Sequence, residues 1–296
     1  MNDQAQALRQ LVSRRNDTEV APVGKQDSAR IITVTSGKGG VGKSNFTLNF
    51  ALALKSLGSK VLIFDADIGM ANIDVLMGVR SRYSLYHLLK GERDIQEIVE
   101  LGTNGLPFIA GGSGMADLFS LSESDLDFFT SQIEQIAGEM DFIIFDTGAG
   151  LSKETLKFIT AADECLVVTT PEPTSITDAY ALIKVVHGME EDVSFRLVIN
   201  RVTGEAEARQ VADKISLVAK QFLKVEIPSL GYLSDDSHVM QAVKKQIPFS
   251  AAFPGCVASK DIQSLALKFM NVPPKHSKDT LSGIRGFMHK WLRLAK

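Results

Sequence analysis

The sequence predicts an α/β fold built on one doubly wound, mostly parallel sheet with helices on both faces. Two observations support this prediction: five continuous apolar runs have the length of buried strands, and helical patterns lie between them. Strands covered on both faces of a parallel sheet are apolar throughout, whereas half-exposed strands alternate. We expect this sheet within a single domain that spans residues 29–270.

The elements follow one another as strand, helix, strand. The runs with strand character are RIITVTS (30–36), KVLIFDAD (60–67), DFIIFDTG (141–148), ECLVVTT (164–170) and FRLVINR (195–201). SNFTLNFALALKSLG (44–58) has a helical pattern that ends at Gly58, a residue type that often follows the last helical turn. SESDLDFFTSQIEQIAG (122–138) begins with the helix-capping pair Ser122 and Asp125.

Composition limits the class of protein. An apolar content of 45% over 296 residues is typical of a soluble globular protein with an ample core. A formal net charge of -3 disfavours a surface that is coated by nucleic acid. The two cysteines, Cys165 and Cys256, are far apart in the chain, so their spacing indicates neither a metal site nor a disulfide framework. We therefore expect a cytoplasmic protein.

Two polar segments separate the ends of the chain from the central domain. Residues 16–28 and 271–281 contain prolines and many polar side chains, and both are expected to be linkers. Residues 1–15 have the pattern of a short amphipathic helix and contain no apolar segment of the secretory type. The predicted organisation is thus an N-terminal segment, a linker, the α/β domain, a second linker and a tail over 282–296.

A glycine-rich segment, SGKGGVGKSN (36–45), lies between the first strand and the first helix. Its G-x-x-x-x-G-K-S pattern is that of a phosphate-binding loop, in the context that such a loop requires. Lys43 is expected to contact the β- and γ-phosphates of a nucleotide, and the Ser44 hydroxyl to bind Mg²⁺. The residues predicted to surround the phosphates are Gly37, Lys38, Gly39, Gly40, Val41, Gly42, Lys43, Ser44 and Asn45.

Three aspartates end two of the predicted strands, at the carboxyl edge where open α/β sheets bind ligands. Asp146 ends FIIFD and is the candidate Walker-B carboxylate, which holds Mg²⁺ through water. Asp65 and Asp67 are two residues apart, so their side chains lie on one side of the strand. We expect Asp65 to orient the metal shell and Asp67 to position the attacking water.

These motifs together resemble those of the deviant Walker A ATPases of the MinD and ParA family. The resemblance is carried by KGGVGKS with its early Lys38, by DADIGMANIDVLMG (65–78) and by DTGAG (146–150). It implies that ATP is hydrolysed to ADP between two protomers, with Lys38, Lys43 and Asp67 as catalytic residues. Lys38 is then expected to reach the partner's nucleotide, as an arginine finger in trans does. Asn45 departs from the pattern, because many relatives have threonine or serine there, but its amide can still donate to a phosphate.

The same resemblance implies contacts to the nucleotide base and to the partner. Asn200 and Arg201 match the base-contacting position of the family, and LGYLSDD (230–236) matches its adenine-flanking loop. Glu172, in TTPEPTS, matches a position at which relatives touch the partner's nucleotide. An asparagine at a strand end is also an ordinary turn former, so a local role for Asn200 stays open.

The tail SGIRGFMHKWLRLAK (282–296) has apolar residues at helical spacing and basic residues largely off that stripe. This pattern predicts an amphipathic helix that lies on an anionic membrane, with two copies in a dimer binding more strongly than one. The alternative is a helix that packs on the protein's own core. The expected place is the inner face of the cell membrane, at the cell pole. The residues predicted to enter the membrane are Ile284, Phe287, Met288, Trp291 and Leu292.

DQAQALRQL (3–11) resembles the N-terminal motif of the FlhG family, also called FleN or YlxH type, which controls flagellar number. This resemblance covers nearly the whole chain. It implies that the N-terminal segment stimulates the GTPase FlhF, and that flagellar C-ring proteins or a flagellar transcriptional activator are further partners. The residues expected to contact FlhF are Asp3, Gln4, Ala5, Leu8 and Arg9.

Other functions are compatible with parts of the pattern. A division-site MinD-type ATPase is disfavoured by the N-terminal extension, and a ParA-type DNA-partitioning ATPase by the acidic pI of about 6.0. No sequence-specific nucleic-acid partner is expected. An iron–sulfur carrier would need paired cysteines, and a metabolic enzyme would need a second substrate pocket. A scaffold that binds ATP without cleaving it stays open. The function favoured is a Mg²⁺-dependent, membrane-associated ATPase switch that regulates flagellar number.

Overall fold

A computed structural model describes residues 29–67, 71–111, 123–189, 193–272 and 283–293. In these ranges the chain forms one eight-stranded sheet. The strands are β1 (Arg30–Ser36), β2 (Val61–Ala66), β3 (Val99–Leu101), β4 (Pro107–Ile109), β5 (Phe142–Ala149), β6 (Glu164–Thr169), β7 (Phe195–Val202) and β8 (Ser229–Ser234). Their order is β3-β4-β2-β5-β1-β6-β7-β8. Only the short edge pair β3–β4 is antiparallel within the described part of the sheet.

Helices cover both faces of this sheet. They are α1 (Lys43–Ser56), α2 (Ile73–Met77), α3 (Leu85–Leu89), α4 (Ile95–Ile98), α5 (Glu123–Ala137), α6 (Lys153–Ala161), α7 (Pro173–His187), α8 (Glu205–Phe222), α9 (Ser237–Lys245), α10 (Phe249–Ala252), α11 (Val257–Met270) and α12 (Gly283–Arg293). Helices α1 and α11 pack on one face, while α5, α6 and α12 pack on the other. The predicted fold class is confirmed.

The five strands predicted from apolar runs are all present, each within one or two residues of its predicted bounds. The edge strands were not predicted. β3 and β4 have only three residues each, too few to show a pattern. Residues 230–236 were expected to be a loop, but most of them belong to β8. Only Leu230 and Leu233 of that edge strand are buried, so it lacks the continuous apolar run of a central strand.

Strands β2 and β5 carry different side chains on their two faces. They pair in register, so that Asp65 lies beside Asp146 and Phe64 beside Phe145. Because side chains alternate along a strand, both carboxylates face α1 while both phenyl rings face the opposite layer. The Phe64 and Phe145 ring centroids are 5.1 Å apart. This pair of rings forms the floor on which α12 lies.

Helix α12 is packed against the domain. Phe287 stacks on Phe145 with ring centroids 4.7 Å apart and planes 7° from parallel, and Trp291 is only 2% exposed. Ile284 and Met288 are also buried. The surface beneath the helix, which we call the α12 seat, consists of Phe64, Phe129, Ile133, Phe145 and Phe158.

Charged side chains flank this contact. Arg285 forms a two-pronged ion pair with Glu134 of α5, with one N–O distance of 2.9 Å. The ammonium of Lys157 on α6 lies 5.1 Å from the centroid of the Trp291 ring. Thus α12 is held by an apolar stripe and by polar contacts at its edges. The contacts join it to two different helices.

The structure shows the alternative that the sequence left open, a tail helix packed on the core of the domain. The binding of this helix to a membrane stays a prediction. The apolar side chains of α12 can be removed from water either by lipid or by protein, and in this structure the α12 seat covers them. The side chain of Leu292 lies outside the described residues, as do the predicted N-terminal helix, the linker over 16–28 and most of the linker over 271–281. Among the described helices, none has the length and apolar character needed to cross a bilayer.

The docking of α12 predicts a stability difference between two phenylalanines. Phe287→Ala should lower the free energy of unfolding by about 3 kcal/mol, because it empties a packed aromatic site. Phe222→Ala makes the same change at the end of α8, where the side chain is 66% exposed, and should change it by less than about 0.5 kcal/mol. Urea unfolding of both variants measures the difference. Equal values would mean that α12 is not docked in solution.

Candidate active site

The phosphate loop runs from the end of β1 to the start of α1. Its backbone lies very close to neighbouring atoms at two glycines. A Cβ atom at Gly37 would overlap the backbone of Asp178 on α7. Gly42 has φ of 90°, and a Cβ atom there would lie 2.5 Å from Nδ2 of Asn200. Both positions therefore require glycine. The loop is packed against α7 on one side and the end of β7 on the other.

Lys43 points into the site. Its Nζ lies 3.1 Å from Oδ1 of Asp146 and 3.3 Å from the Ser44 hydroxyl oxygen, and its side chain is 7% exposed. The Thr47 hydroxyl donates to the same Asp146 oxygen at 2.7 Å. The ion pair and the hydrogen bond thus tie the first turn of α1 to the end of β5. A phosphate at this loop would meet an ammonium that is already oriented.

Asp65 is buried beside Asp146. Its pKa is raised to about 7, mainly by burial and to a smaller extent by repulsion from Asp146. Its Oδ2 accepts hydrogen bonds from the backbone N–H groups of Asn72 and Ile73, at 2.9 and 3.0 Å. Asp65 therefore also anchors the start of α2, a role that the sequence did not predict. Two adjacent carboxylates and the Ser44 hydroxyl are the hard oxygen ligands that Mg²⁺ prefers, directly or through water. The residues present fit such an ion, and the assignment of Ser44, Asp65 and Asp146 to it stays a prediction.

Asp67 follows β2 and lines the cleft that lies over the phosphate loop. Its backbone N–H is 3.3 Å from Oδ1 of Asp65. Its carboxylate oxygen lies 3.4 Å from the place that a Cβ atom would take at Gly148. Asp67 thus stands against the last residues of β5, and it lines the same cleft as the phosphate loop. A carboxylate in this place can accept a proton from, or orient, a water beside the terminal phosphate.

Lys38 points away from Lys43. Its Nζ lies 3.0 Å from Oε2 of Glu172 and 3.1 Å from the Thr174 hydroxyl oxygen, both at the start of α7. The Lys38 and Glu172 side chains are 40% and 58% exposed. The two lysines of the loop therefore have opposite environments: Lys43 is buried in its own site, and Lys38 is presented on the surface. Glu172, expected to contact a partner's nucleotide, here binds Lys38 of its own chain, and Thr174 was not predicted at all.

Asn200 holds the phosphate loop. Its Nδ2 donates to the carbonyl oxygen of Val41 at 2.7 Å, and its Oδ1 accepts from the backbone N–H of Arg201 at 3.0 Å. Arg201 has φ of 56°, which turns the chain sharply after β7. Arg201 lines both clefts described below, and its contact with a nucleotide base stays a prediction. Asn200 thus combines the turn-forming role left open by the sequence with a direct bond to the loop.

Two clefts meet at the start of α1. One, of about 780 Å³, lies over the phosphate loop and is bounded by Asp67, Gly148 and the first turn of α6. The other, of about 590 Å³, lies beside Asn200 and Arg201 and is largely apolar. Both volumes are in the range of small-molecule sites. The large apolar side chains of the second cleft that the sequence did not predict are Phe46, Val239, Met240, Val243 and Phe249.

These apolar residues match the needs of a flat heterocycle. Phe46 belongs to α1, while Val239, Met240 and Val243 belong to α9. Their spacing in α9 was a recognisable helical stripe, but it does not distinguish a core face from a ligand face. The predicted loop and strand-end residues come together around the two clefts. The tail residues lie on the opposite face of the sheet.

Comparison with known proteins agrees with this geometry. The profile of the AAA domain family matches residues 29–199. Antiactivator FleN of Pseudomonas aeruginosa is 36% identical over 254 residues, covering 85% of this chain and 90% of FleN. Flagellum site-determining protein YlxH of Helicobacter pylori is 37% identical over 268 residues, or 90% of each chain. The cell division ATPase MinD of Pyrococcus furiosus has a similar structure, with a TM-score of 0.67 at 25% identity over 82% of this chain and 98% of MinD.

The bond from Asn200 to Val41 can be tested by nucleotide binding. Asn200→Ala should weaken binding of an ATP analogue about tenfold, because the loop loses the hydrogen bond that fixes its shape. Asn271→Ala removes an exposed asparagine at the far end of α11 and should leave binding unchanged. Calorimetric titration compares the two variants. Unchanged affinity in Asn200→Ala would show that the loop does not depend on this bond.

Proposed function

The chain belongs to the FleN and YlxH (FlhG) family of MinD/ParA-type ATPases, and on that basis we propose that it is a Mg²⁺-dependent ATPase switch for flagellar number and placement. In this proposal ATP joins two copies of the chain, and hydrolysis separates them. The dimer associates with the cytoplasmic face of the membrane through α12. The nucleotide ligands are ATP and ADP.

The observation that carries the proposal is the opposite orientation of two lysines in one phosphate loop. Lys43 already forms an ion pair with Asp146 inside the site. Lys38 projects from the same loop toward the surface, where Glu172 and Thr174 hold its ammonium. A cation on the surface beside a phosphate site is suited to a second nucleotide brought by a partner. The exposed pair with Glu172 is weak and so can be exchanged for a phosphate.

The proposed reaction is in-line attack of water on the terminal phosphate. Asp67 orients the water and accepts its proton, and Lys43 holds the terminal phosphate against the N-terminal end of α1. Lys38 of the partner copy offsets the charge that develops on the transferred phosphoryl group. Mg²⁺, when bound, supplies further charge neutralisation at Ser44, Asp65 and Asp146. Because one of these groups comes from a second copy, hydrolysis requires the dimer.

Membrane association then depends on the position of α12. Its apolar stripe is buried on the α12 seat, so lipid binding requires that the helix leaves the domain. The free helix has the composition of an interfacial helix: Trp291 and Phe287 for the headgroup boundary, and basic residues for anionic lipid. We place the protein at the inner face of the cell membrane, at the pole, only when α12 is released.

The proposed partners follow from the family. FleN is named as an antiactivator and YlxH as a flagellum site-determining protein. We propose that this chain acts on an FlhF-type GTPase through Asp3, Gln4, Ala5, Leu8 and Arg9, which lie outside the described residues. Flagellar C-ring proteins and a flagellar transcriptional activator are the further proposed partners. A sequence-specific nucleic-acid partner is not part of the proposal.

Removing the surface lysine tests the reaction. Lys38→Ala should abolish ATP-dependent dimers in sedimentation velocity and lower the hydrolysis rate by about a thousandfold or more, as loss of a finger in trans does. Lys60→Ala removes an exposed lysine at the other end of β2 and should behave as wild type. Normal dimerisation and hydrolysis in Lys38→Ala would exclude a role for this residue in trans.

The membrane switch predicts a nucleotide-dependent sedimentation with vesicles. With Mg²⁺ and ATP the full chain should sediment with anionic vesicles, whereas with ADP or without nucleotide it should stay in the supernatant. Neutral vesicles should bind less, because the basic residues then lack a partner. A chain without residues 282–296 should not sediment in any nucleotide state. Sedimentation of that shortened chain, or equal sedimentation in all states, would contradict the proposal.

A further inference from the structure

Asp236 joins the beginnings of two helices beside the second cleft. Its Oδ1 accepts from the backbone N–H of His238, in the first turn of α9, at 2.9 Å. Its Oδ2 accepts from the backbone N–H of Ala258, in the first turn of α11, at 3.2 Å. One carboxylate therefore caps α9 and α11 together, and its charge offsets the partial positive charge at both helix N-termini.

The ring of His238 supports this carboxylate. Its Nδ1 lies 2.7 Å from Oδ1 of Asp236. The same ring lies 4.8 Å from the ring of Phe253, measured between centroids, in the segment that joins α10 to α11. The Asp236 side chain is only 9% exposed. The carboxylate is thus covered and is held by the start of α9, by the start of α11 and by the His238 ring.

The two helices that Asp236 joins are anchored to the core to very different extents. In α9 only Ala242 is buried. Helix α11 packs against α1 and β8, and its buried residues are Ala258, Ser259, Ile262, Leu265, Ala266 and Phe269. Because most of the stability of a helix in a protein comes from packing against the core, α9 depends on contacts at its ends. Asp236 ties the N-terminal end of α9 to the well-anchored α11.

Helix α9 forms a wall of the second cleft. Val239, Met240 and Val243 of α9 line this cleft together with Ala258 of α11. The position of α9 relative to α11 therefore sets the shape of the cleft. Apolar contacts are sensitive to such a shift, since a gap of about 0.5 to 1 Å already loses a quarter to a half of the attraction of each contact.

The phosphate cleft depends on other side chains. Among the described residues that line it, neither Asp236 nor Ala258 is present. Lys43 is oriented by its ion pair with Asp146, and the phosphate loop is held by Asn200. A change at Asp236 is therefore expected to alter the second cleft and to leave the phosphate loop as it is.

We propose that Asp236, with His238 as its support, is the positioning residue for the nucleoside part of the bound nucleotide. It acts through α9 and not on the reacting atoms: by fixing this wall, it holds the second cleft in the shape that receives the base. The inference rests on the proposed ATP-dependent function and adds the residue that shapes the nucleoside half of its site. A merely structural role would affect both halves of the site equally.

The test separates the two halves of the ligand. Calorimetric titration of the full chain with Mg²⁺ gives dissociation constants for a non-hydrolysable ATP analogue and for inorganic tripolyphosphate, which has no nucleoside. The variant is Asp236→Asn, which keeps the side-chain size but leaves one acceptor oxygen for two helix starts. We expect the dissociation constant of the analogue to rise about tenfold and that of tripolyphosphate to change by less than about twofold.

Hydrolysis kinetics give a second readout of the same variant. In Asp236→Asn the KM for ATP should rise about tenfold, whereas kcat should stay within about twofold of wild type, because the lost contacts bind ground state and transition state alike. Equal losses of affinity for the analogue and for tripolyphosphate would overturn the proposal. A lower kcat with an unchanged KM would do the same.

Asp94→Asn is the matched control. Asp94 caps α4 by accepting from the backbone N–H of Glu97 at 2.9 Å, and it is not among the described residues that line either cleft. The chemical change is the same, and both dissociation constants should equal those of wild type. Analogue binding that is also tenfold weaker in Asp94→Asn would show a general effect of losing a helix cap and would overturn the proposal.

His238→Phe decides the question if Asp236→Asn does not fold. It keeps a ring against Phe253 and the backbone N–H at the start of α9, but it removes the ring nitrogen beside Asp236. The dissociation constant of the analogue should rise about threefold with that of tripolyphosphate unchanged. If both constants equal those of wild type, the proposal is wrong.

The wild-type chain distinguishes this inference from the proposed function. A chain that binds the analogue but neither dimerises with ATP nor hydrolyses it would overturn the proposed function, and the titrations would still decide the role of Asp236. A chain that binds no analogue would overturn both.

Discussion

The alternation of side chains along β2 and β5 is the constraint on which the rest of the molecule depends. Each strand places an aspartate on one face of the sheet and the preceding phenylalanine on the other. The two strands pair so that Asp65 lies beside Asp146 and Phe64 beside Phe145. The carboxylates meet the phosphate loop and α1, while the phenyl rings form the floor under α12. The nucleotide site and the C-terminal helix are therefore back to back, separated by the thickness of one sheet. A chemical event on one face needs only a short structural path to reach the other.

The electrostatics of the site are arranged for a ligand that brings both negative and positive charge. Asp146 is compensated by Lys43 and Thr47, whereas Asp65 relies on backbone N–H groups and keeps a raised pKa. A magnesium nucleotide would supply a cation to the carboxylates and an anion to the lysines. Lys38 stands apart from this balance. In this structure Glu172 and Thr174 set the direction of the Lys38 side chain. Because the ion pair is exposed, it adds little to the stability of the fold and is easily broken.

Helix α12 illustrates how one sequence pattern suits two environments. Burial of an apolar stripe is favourable in proportion to the area removed from water, whether the other surface is protein or lipid. The docked and lipid-bound states of such a helix therefore differ little in free energy, whereas both are much lower in free energy than a helix exposed to water. A modest change in the α12 seat can then decide between them. The ion pair of Arg285 with Glu134 gives the docked state a polar component, much as anionic headgroups would give the lipid-bound state one.

Sequence alone predicted five of the eight strands, the phosphate loop and the charged residues of that loop, because long apolar runs and a glycine-rich loop between strand and helix are local patterns. It also predicted an amphipathic helix over 282–296, of which the structure shows Gly283–Arg293. The tertiary structure decided what each of these groups contacts: Lys38 with Glu172, Asn200 with Val41, Asp65 with the start of α2, and the α12 stripe with Phe145 and Phe158. It also decided the apolar cleft of α9 and the short edge strands. Most of these partners lie more than a hundred residues apart in the chain, and only the packing of distant elements brings them within reach, so no local pattern can specify them. Asp65 and the start of α2 are only seven or eight residues apart, but their contact depends on the turn that the chain makes after β2.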